Sequence, residues 1–390
     1  MAYQRRLSLA LLIPFVLFCN PLLAEEAAVA DEAEEQGFWA QFKDPQDSKF
    51  DMSKYLLENL AGFMPVPIII TEPAVDGGLG LAPIFFHKPK QDQMKPDADG
   101  KVILPNITAV ALGVTGNDSW FAGAGHFRNW SKDKYRYRGW AGYADMNLDW
   151  YPSDNSGPLA GGIGFNVTGA MLDQTFFYRL AESEWFLGAN WRYSEAEVSF
   201  DTLLPPGLLN RENTISNLSL IALYEDLDFQ LSPRDGLQFE LKAEYSRDSF
   251  GSDFNFDQYT WQLRQYFELA EKWTLSWRLD GSTISGDAPF YLEPFVKIQG
   301  IPAMRYRGPT AATVEVRGGY DVAPRWTLMA FGGGGRAADS FSDLSSVSTY
   351  TAVGAGFRYL IARAVGMRVG IDVARGPEGT YGYIVVGSAW

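Results

Sequence analysis

The sequence predicts an all-β protein, a transmembrane antiparallel β-barrel of about 16 strands preceded by a short N-terminal helix. Three observations lead to this fold class. Apolar and polar residues alternate through most of the chain after Pro65. The alternating segments run for about 10 residues or more, the length that crosses a bilayer at a tilt, and Trp and Tyr recur near their ends. Short connections alternate with long ones, as in outer-membrane barrels.

The alternation has two interpretations. In "KWTLSWRLDGS", Trp273 and Trp277 lie on one face and Arg278 on the other; "GLQFELKAEYS" and "EWFLGANWRYS" behave alike. In a soluble sandwich the apolar face would meet a second sheet, whereas in a membrane barrel it meets lipid and the polar face lines the interior. Segment length, aromatic residues at segment ends and dense Glu, Lys and Arg on the polar face favour the barrel.

Residues 1–24 are predicted to be a secretory signal peptide. Arg5 and Arg6 precede an apolar run that ends at Ala24 before acidic residues. The chain's one cysteine, Cys19, lies inside this segment. With two histidines and no cysteine left in the mature chain, a Cys/His zinc site is excluded, and we expect no metal or cofactor.

Residues 25–64 carry ten Asp or Glu and three Lys, which predicts an acidic, disordered leader to about residue 50. "DMSKYLLENLAGF" (51–63) then predicts one short amphipathic helix, with Asp51 or Ser53 near its start and Gly62 at its end. No apolar run long enough for a transmembrane helix follows the signal. The net charge of −14 makes nucleic acid an unsuitable partner.

The barrel is predicted to fill residues 65–390. At about 20 residues for each strand and its connection, this length holds about 16 strands. About eleven strands precede the long loop at 289–310 and about five follow it. The stretch 88–101 is a long polar connection on the side where short turns are expected.

The chain ends "TYGYIVVGSAW", in the middle of a predicted strand. Since a closed barrel has no edge, the last strand is expected to pair with the first. Ile384, Val386 and Trp390 share the predicted outer face, with Trp390 at the membrane interface. This ending is similar to the C-terminal signal by which outer-membrane barrels are recognised, so the barrel assembly machinery is an expected partner for the chain's own insertion.

The stretch from 295 to 336, "FVKIQGIPAMRYRGPTAATVEVRGGYDVAPRWTLMAFGGGGR", resembles the BamA/TamA-type outer-membrane barrel superfamily, also called bacterial surface antigens. "MRYRG" (304–308) stands at the family's Arg-Gly-aromatic loop motif, and "EVR" (315–317) matches its Glu-x-Arg strand. "YEDLDFQLSPRDG" (224–236), the opening hairpin "GFMPVPIIITEPAVDGGLGLAPIFF" and the final "YIVVGSAW" are also similar. The resemblance covers most of 62–390 and implies a 16-stranded barrel whose long loop folds into the lumen. The family's periplasmic POTRA domains are not seen in this sequence.

The resemblance implies that an arginine of the loop is locked to the barrel wall. Arg305 or Arg307, followed by Gly308, is the candidate. The family's aspartate partner is replaced by Gly333, so a different carboxylate is needed. Glu315 on the next strand and Asp372 in "RVGIDVAR" are the candidates. Arg317 and Arg358 add positive charge nearby.

Three functions follow as hypotheses. The resemblance implies a barrel in the bacterial outer membrane that assists insertion or translocation of a protein or lipid, with outer-membrane lipid and a client outer-membrane or secreted protein as partners. A weak seam between first and last strands would open, and the loop would gate the lumen. The alternative is a passive porin-like channel. A hydrolase is disfavoured, because His126, whose parity with Arg128 suggests an inward position, has no recognisable nucleophile beside it; we expect no enzymatic activity.

Overall fold

The computed structural model describes residues 41–58, 63–87, 106–151, 162–200, 211–230, 232–388 and 390. They form one helix, α1 (Ser53–Glu58), short 3-10 turns and 16 strands. The strands are β1 (Phe63–Ile70), β2 (Gly78–Phe86), β3 (Ile107–Thr115), β4 (Trp120–Trp130), β5 (Tyr135–Trp150), β6 (Ile163–Arg179), β7 (Trp185–Phe200), β8 (Arg211–Leu227), β9 (Gly236–Ser246), β10 (Phe256–Ala270), β11 (Trp273–Gly286), β12 (Thr310–Ala323), β13 (Trp326–Ala338), β14 (Tyr350–Ala362), β15 (Met367–Arg375) and β16 (Thr380–Val386).

The strands form one antiparallel sheet whose order is the chain order, curled into a nearly closed barrel. This confirms the predicted fold class, the count of 16 and the division into eleven strands before the long loop and five after it. The barrel begins at Phe63, slightly before the predicted Pro65. No helix in the described ranges is long and apolar enough to cross a membrane. The predicted signal peptide and the stretch 88–101 lie outside the described residues.

The two faces of the strands have opposite chemistry, as predicted. Leu187 on β7, Leu220 on β8 and Val353 on β14 are 50%, 66% and 63% exposed on the outer surface. Asn190 and Glu244 point inward, are buried, and form hydrogen bonds with neighbouring side chains. The outer face of the barrel is therefore apolar, and much of its lumen is polar.

Aromatic rings gather beside the short turns at one end of the barrel, as the recurrence of Trp and Tyr predicts. This end also carries both described chain ends, and we call it the terminal end; the other is the loop end. Ring pairs from neighbouring strands lie 4.6–5.7 Å apart between centroids: Trp130 with Tyr135, Trp185 with Tyr224, Trp273 with Tyr320, and Trp326 with Tyr359. A belt of this kind marks a membrane interface.

The gap between β1 and β16, which we call the seam, contradicts the expectation that the last strand pairs with the first. Within the described residues no ladder joins β1 to β16. Pro65 faces Pro83 across the β1–β2 ladder. Two prolines cannot exchange N–H bonds, so their nitrogens must point away from each other, and Pro65 turns its nitrogen to the seam. Pro67, two residues further along β1, also turns its nitrogen to the seam. The seam edge of β1 therefore lacks two backbone N–H donors.

The end of β16 weakens the seam from the other side. β16 stops at Val386, and Gly387 has φ of +77°, a left-handed conformation that glycine adopts without strain. The Gly387 N–H donates to the Arg368 carbonyl, and the chain turns from there into the lumen. The last residues are thus unable to continue the outer wall towards β1.

A segment that the sequence assigned to a disordered leader is bound to the barrel. Asp44, Asp47 and Asp51 surround the guanidinium of Arg325, in the β12–β13 turn, at 2.5, 2.6 and 2.8 Å. Arg363, in the β14–β15 turn, lies 3.0 Å from Asp47. We call this arrangement the clasp. It fixes residues 44–51 against the terminal end and corrects the prediction for the described part of the leader.

The helix begins where the clasp ends. The Asp51 carboxylate, two residues before α1, accepts the N–H of its first residue, Ser53, at 2.6 Å. The Ser53 hydroxyl accepts the Ala364 N–H at 2.9 Å. α1 begins at Ser53, two residues after the predicted start, and Phe63 belongs to β1; residues 59–62, Gly62 among them, lie outside the described residues.

The clasp predicts how the N-terminal segment responds to protease. Arg325→Gln removes the cation that three carboxylates share, and these carboxylates then repel one another. We expect trypsin to cut at Lys43, Lys49 and Lys54 much faster in this variant than in the parent barrel. The control is Arg336→Gln, which changes an arginine at the loop end and should leave the cleavage rate unchanged. Equal resistance to trypsin in the parent and both variants would contradict the clasp.

The clasp also predicts a pH dependence. Hydrogen bonding to Arg325 lowers the pKa of Asp47 to about 2. Because the pKa of this carboxylate is lower in the folded state, the carboxylate stabilises that state at every pH above its ordinary pKa of 3.8. This contribution is lost as the pH falls towards about 2. The difference in thermal unfolding temperature between the parent and Arg325→Gln should therefore be constant above pH 5 and shrink between about pH 3.8 and 2. A difference that persists at pH 2 would argue against this.

Candidate functional site

The inner wall of β11 and β12 carries a buried ion cluster, which we call the lumen network. Glu315 is fully buried and lies 3.0 Å from Arg278 and 2.5 Å from Arg317. Arg278 also contacts Asp280 at 2.7 Å and the Lys297 carbonyl at 2.5 Å. Arginine suits this position, because its planar fork serves several acceptors at once.

A second buried carboxylate extends the network towards β14 and β15. Asp372, also fully buried, accepts both terminal nitrogens of Arg358 at 2.6 and 2.8 Å. Arg317 reaches Asp372 at 3.2 Å and so links the two carboxylates. Three arginines are balanced by Glu315, Asp372 and Asp280, which is the pairing that buried charges need.

The C-terminal tryptophan belongs to the lumen network. The Trp390 indole N–H donates to Glu315 at 3.1 Å. Its ring lies 5.4 Å from the Arg317 guanidinium and 5.8 Å from the Tyr266 ring. The prediction that Trp390 sits on the outer interface is therefore wrong, because Gly387 reverses the direction of the chain. Ile384 and Val386 do lie on the outer face, 39% and 60% exposed. Their role as an assembly signal stays a prediction.

The long loop between β11 and β12 (287–309) is packed into the barrel, as the resemblance implied. Val296, Ile298, Ile301 and Tyr306 form a buried apolar cluster with Ala352 of β14. The Tyr306 ring stacks on Tyr350 with centroids 3.4 Å apart.

Glycines in the wall make room for this cluster. A Cβ at Gly333 would lie 2.8 Å from Cδ1 of Ile298, and one at Gly335 would lie 2.5 Å from Cγ1 of Val296. Gly333 stands where the resemblance implies an aspartate; the Val314 carbonyl, 2.2 Å from such a Cβ, and an isoleucine of the loop occupy the space that the acid would need. The loop is thus seated by packing on a glycine-rich wall.

The predicted loop lock uses different partners from those expected. Neither candidate arginine contacts Glu315 or Asp372 in an observed ion pair. Arg305 pairs with Glu378, in the β15–β16 turn, at 3.1 Å and stacks over Tyr151 at 4.2 Å. The lock is therefore at the loop end of the barrel and joins the loop to the last hairpin.

The second candidate arginine stabilises the loop itself. Arg307 pairs with Glu293 of the same loop at 2.5 Å and donates to the Phe290 carbonyl. Gly308 lies against the backbone of Ala338, where a Cβ would come within 3.0 Å of the carbonyl oxygen. Burial raises the pKa of Glu293 and lowers the pKa of Lys297, as expected for a loop withdrawn from bulk water.

The loop touches both sides of the seam. The Ala303 N–H donates to Glu72, in the β1–β2 turn, at 3.0 Å. The Gly300 N–H donates to the Tyr383 hydroxyl of β16 at 2.8 Å, and the Tyr306 hydroxyl donates to Glu378. The loop therefore bridges the first and last hairpins from inside. Sequence reasoning missed Glu72, Glu378, Tyr383 and Arg278, since no local pattern marks residues that meet only across the barrel.

The histidine considered for catalysis lies on the outer surface. The Thr108 hydroxyl is 2.8 Å from Nδ1 of His126 and 2.7 Å from Nε2 of His87. Thr108 pairs with Phe85, which is exposed on the outer face, so this group does not face the lumen. The inward position suggested for His126 is wrong.

Comparison with known proteins agrees with this geometry. Residues 133–295, from the β4–β5 turn into the long loop, match the Omp85 superfamily domain. Residues 133–295 therefore carry an Omp85 superfamily domain. This confirms the resemblance predicted from the loop motif. No curated protein matches the sequence.

Solved structures show the same fold at low identity. BamA from Haemophilus ducreyi lacking POTRA domains 1–3 aligns with a TM-score of 0.56 and 10% identity, over 93% of this chain and 78% of that one. CdiB from Escherichia coli aligns at 0.56 and 11%, and CdiB from Acinetobacter baumannii at 0.54 and 8%; each alignment covers 83% of this chain. The chain spans 61% and 59% of those two CdiB chains.

The lumen network predicts a strong effect of one neutralising substitution. Glu315→Gln leaves Arg278 and Arg317 short of a buried counter-charge, which costs of the order of 3 kcal/mol. Urea unfolding of the refolded barrel should show this loss of stability. Glu268→Gln, at a half-exposed carboxylate paired with Arg234, should change stability by less than about 1 kcal/mol. Equal effects of the two substitutions would show that the network is not a stabilising centre.

Proposed function

We propose that this protein is a bacterial outer-membrane barrel that assists insertion or translocation of a client protein by opening the seam between β1 and β16. The observation that carries the proposal is the unpaired seam. A lipid-embedded barrel normally satisfies every backbone donor and acceptor through pairing with neighbouring strands. Here β1 presents an edge with two prolines, and β16 ends in an inward turn.

An open strand edge is a template for another strand. The carbonyl groups on the seam edge of β1 remain available to accept hydrogen bonds, although two of its donors are missing. A client strand would find partners there that the barrel's own β16 does not fill. The similarity of the fold to BamA and CdiB supports this function over a purely structural one.

The filled lumen argues against the alternative of a passive porin-like channel. The loop packs on the β12–β14 wall, and Trp390 reaches the lumen network from the terminal end. A steady open pore needs an interior free of such elements. We therefore propose a gated barrel without enzymatic activity.

The loop tether predicts the conductance of the protein in planar bilayers. The parent should give small, flickering currents, because the loop occupies the lumen. Arg305→Ala and Glu378→Gln each remove the ion pair that holds the loop to the last hairpin, so each should enlarge the conductance and lengthen the open periods. Glu268→Gln, which removes an ion pair with Arg234 at the terminal end, is the matched control. A large, steady conductance in the parent would instead identify a porin.

The seam itself is tested by cross-linking. Cysteines at Ile69 and Ile384, which face outward on the two seam strands, should be joined only by a long bis-maleimide. Cysteines at Leu79 and Val114, directly opposed in the β2–β3 ladder, provide the paired control and should react with the shortest reagent. Short-range cross-linking at both places would mean that the seam is closed.

The same cross-link tests the activity. The uncross-linked barrel in liposomes should accelerate folding of an unfolded eight-stranded outer-membrane barrel used as client. Cross-linking the seam with a cleavable reagent should abolish the acceleration, cleavage should restore it, and cross-linking the control pair should leave it intact. Acceleration that survives the seam cross-link would refute the proposed mechanism.

A further inference from the structure

The wall of the lumen is chemically uneven. From β5 onward the inner faces carry ion pairs, among them Arg136 of β5 with Glu225 of β8 and the lumen network, whereas the inner faces of β1–β4 carry no Asp, Glu, Lys or Arg in the described residues. The one charged side chain in these four strands, Arg128, lies over the Trp130 ring on the outer face. The apolar inner face begins at the seam with Val66 and Ile68 and continues across β2 and β3 through small residues. A water-filled lumen is usually polar on all sides.

A cavity of about 600 Å³ lies against this apolar wall. Its floor consists of small residues on neighbouring strands: Ala109, Ala111, Gly123, Gly125, Gly142, Ala144 and Gly169. Phe127, Trp140 and Met171 stand around the floor and remain 44%, 41% and 37% exposed although they point inward. Large apolar groups left open inside a barrel mark a surface that lacks its partner.

Polar groups are confined to the far side of the cavity. Arg192 is held 3.0 Å from Asp173 and 3.8 Å from Glu244, and about a third of its side chain is exposed. Asn217 donates to Glu244 at 2.8 Å, while its own buried oxygen has no hydrogen-bond partner among the described residues. Buried acceptors are almost always satisfied, so this oxygen calls for a donor that the described residues do not supply.

We propose that this cavity, lined by β3–β6 and bounded by Arg192 and Asn217, binds a single acyl chain with a small polar head. Its volume and mainly apolar lining, with a few polar groups at one side, are those of a small-molecule site. Lys242 pairs with Glu244, so Arg192 and Lys242 balance Asp173 and Glu244; this neutral balance favours a hydrogen-bonding head over a strongly charged one.

The strand pairing excludes a polypeptide as the natural occupant. β3, β4, β5 and β6 are hydrogen-bonded on both sides, so their backbones offer nothing to a peptide. A peptide backbone against the glycine and alanine floor would lose its hydrogen bonds to water without replacement. An acyl chain has no such requirement. The site does not depend on the passage of a client through the seam, although the apolar wall offers a path from the seam to the cavity.

Photo-cross-linking tests the site in the whole protein reconstituted in nanodiscs. A lysophosphatidylcholine, a fatty acid and a two-chain phosphatidylcholine, each with a diazirine in an acyl chain, serve as probes, and the labelled peptides are identified by mass spectrometry. We expect saturable labelling of Phe127, Trp140 or Met171, which excess unlabelled fatty acid removes. Labelling by the single-chain probes alone identifies a free amphiphile, whereas labelling by the two-chain probe as well identifies a chain that enters from the bilayer.

Two variants separate the cavity from the lipid-facing surface. Ala144→Phe places a ring in the cavity and should cause loss of lumen-facing labelling. Ala141→Phe, three residues earlier and on the outer face, should leave it unchanged. Absence of lumen-facing labelling in the parent, or labelling that Ala144→Phe does not reduce, would overturn the proposal. Neither variant touches the seam, so client insertion measured in parallel reports on the other proposal separately.

Discussion

Backbone hydrogen bonding is the constraint on which this structure depends. In a bilayer each strand must give its N–H and C=O groups to neighbours, and fifteen consecutive antiparallel ladders do this from β1 to β16. The constraint is relaxed at one place. Pro65 and Pro67 remove donors from the edge of β1, and Gly387 turns the chain away before β16 is long enough to cover that edge. The same two sequence features that weaken closure also direct the C-terminus inward.

The lumen compensates for the weak seam with contacts that do not belong to the sheet. The long loop reaches Glu72 on one side and Glu378 and Tyr383 on the other, so it connects hairpins that no ladder joins. These are individual hydrogen bonds and one ion pair, each worth far less than a complete ladder. The packing of the loop on the glycine wall supplies the remaining attachment, because burial of Val296 and Ile298 needs no partner charge. These loop contacts join the first and last hairpins, but more weakly than the backbone ladders join the other strands of the wall.

Much of this fold could be predicted from the sequence, because side-chain alternation is a local property. Strand number, the faces of β7, β9 and β11, and the position of the long loop follow from residues that are close in sequence. The partners of Arg305 could not be predicted, since Glu378 lies far along the chain and Glu315 is equally plausible by charge. Trp390 was misplaced because strand alternation was extended through Gly387. Gly333, at the position where the resemblance implies an aspartate, indicated that the loop arginine has a different partner, and the structure shows the Val314 carbonyl and Ile298 in the space of that side chain. The clasp was missed because Asp44, Asp47 and Asp51 resemble a solvated acidic leader until Arg325 is placed beside them.

The lumen network connects the parts that would move if the seam opens. Glu315 holds Trp390 from the C-terminal turn, while Arg317, its ion-pair partner, holds Gln299 of the loop at 2.6 Å. Glu315 and Asp372 are fully buried, so a displaced partner leaves a charge without compensation, which is costly in a low-dielectric interior. Withdrawal of the C-terminus from the lumen therefore weakens the same cluster that anchors the loop, and removal of the loop exposes the site where Trp390 binds. The C-terminus and the loop are thus coupled through shared contacts with Glu315 and Arg317, and the coupling needs no long pathway through the wall.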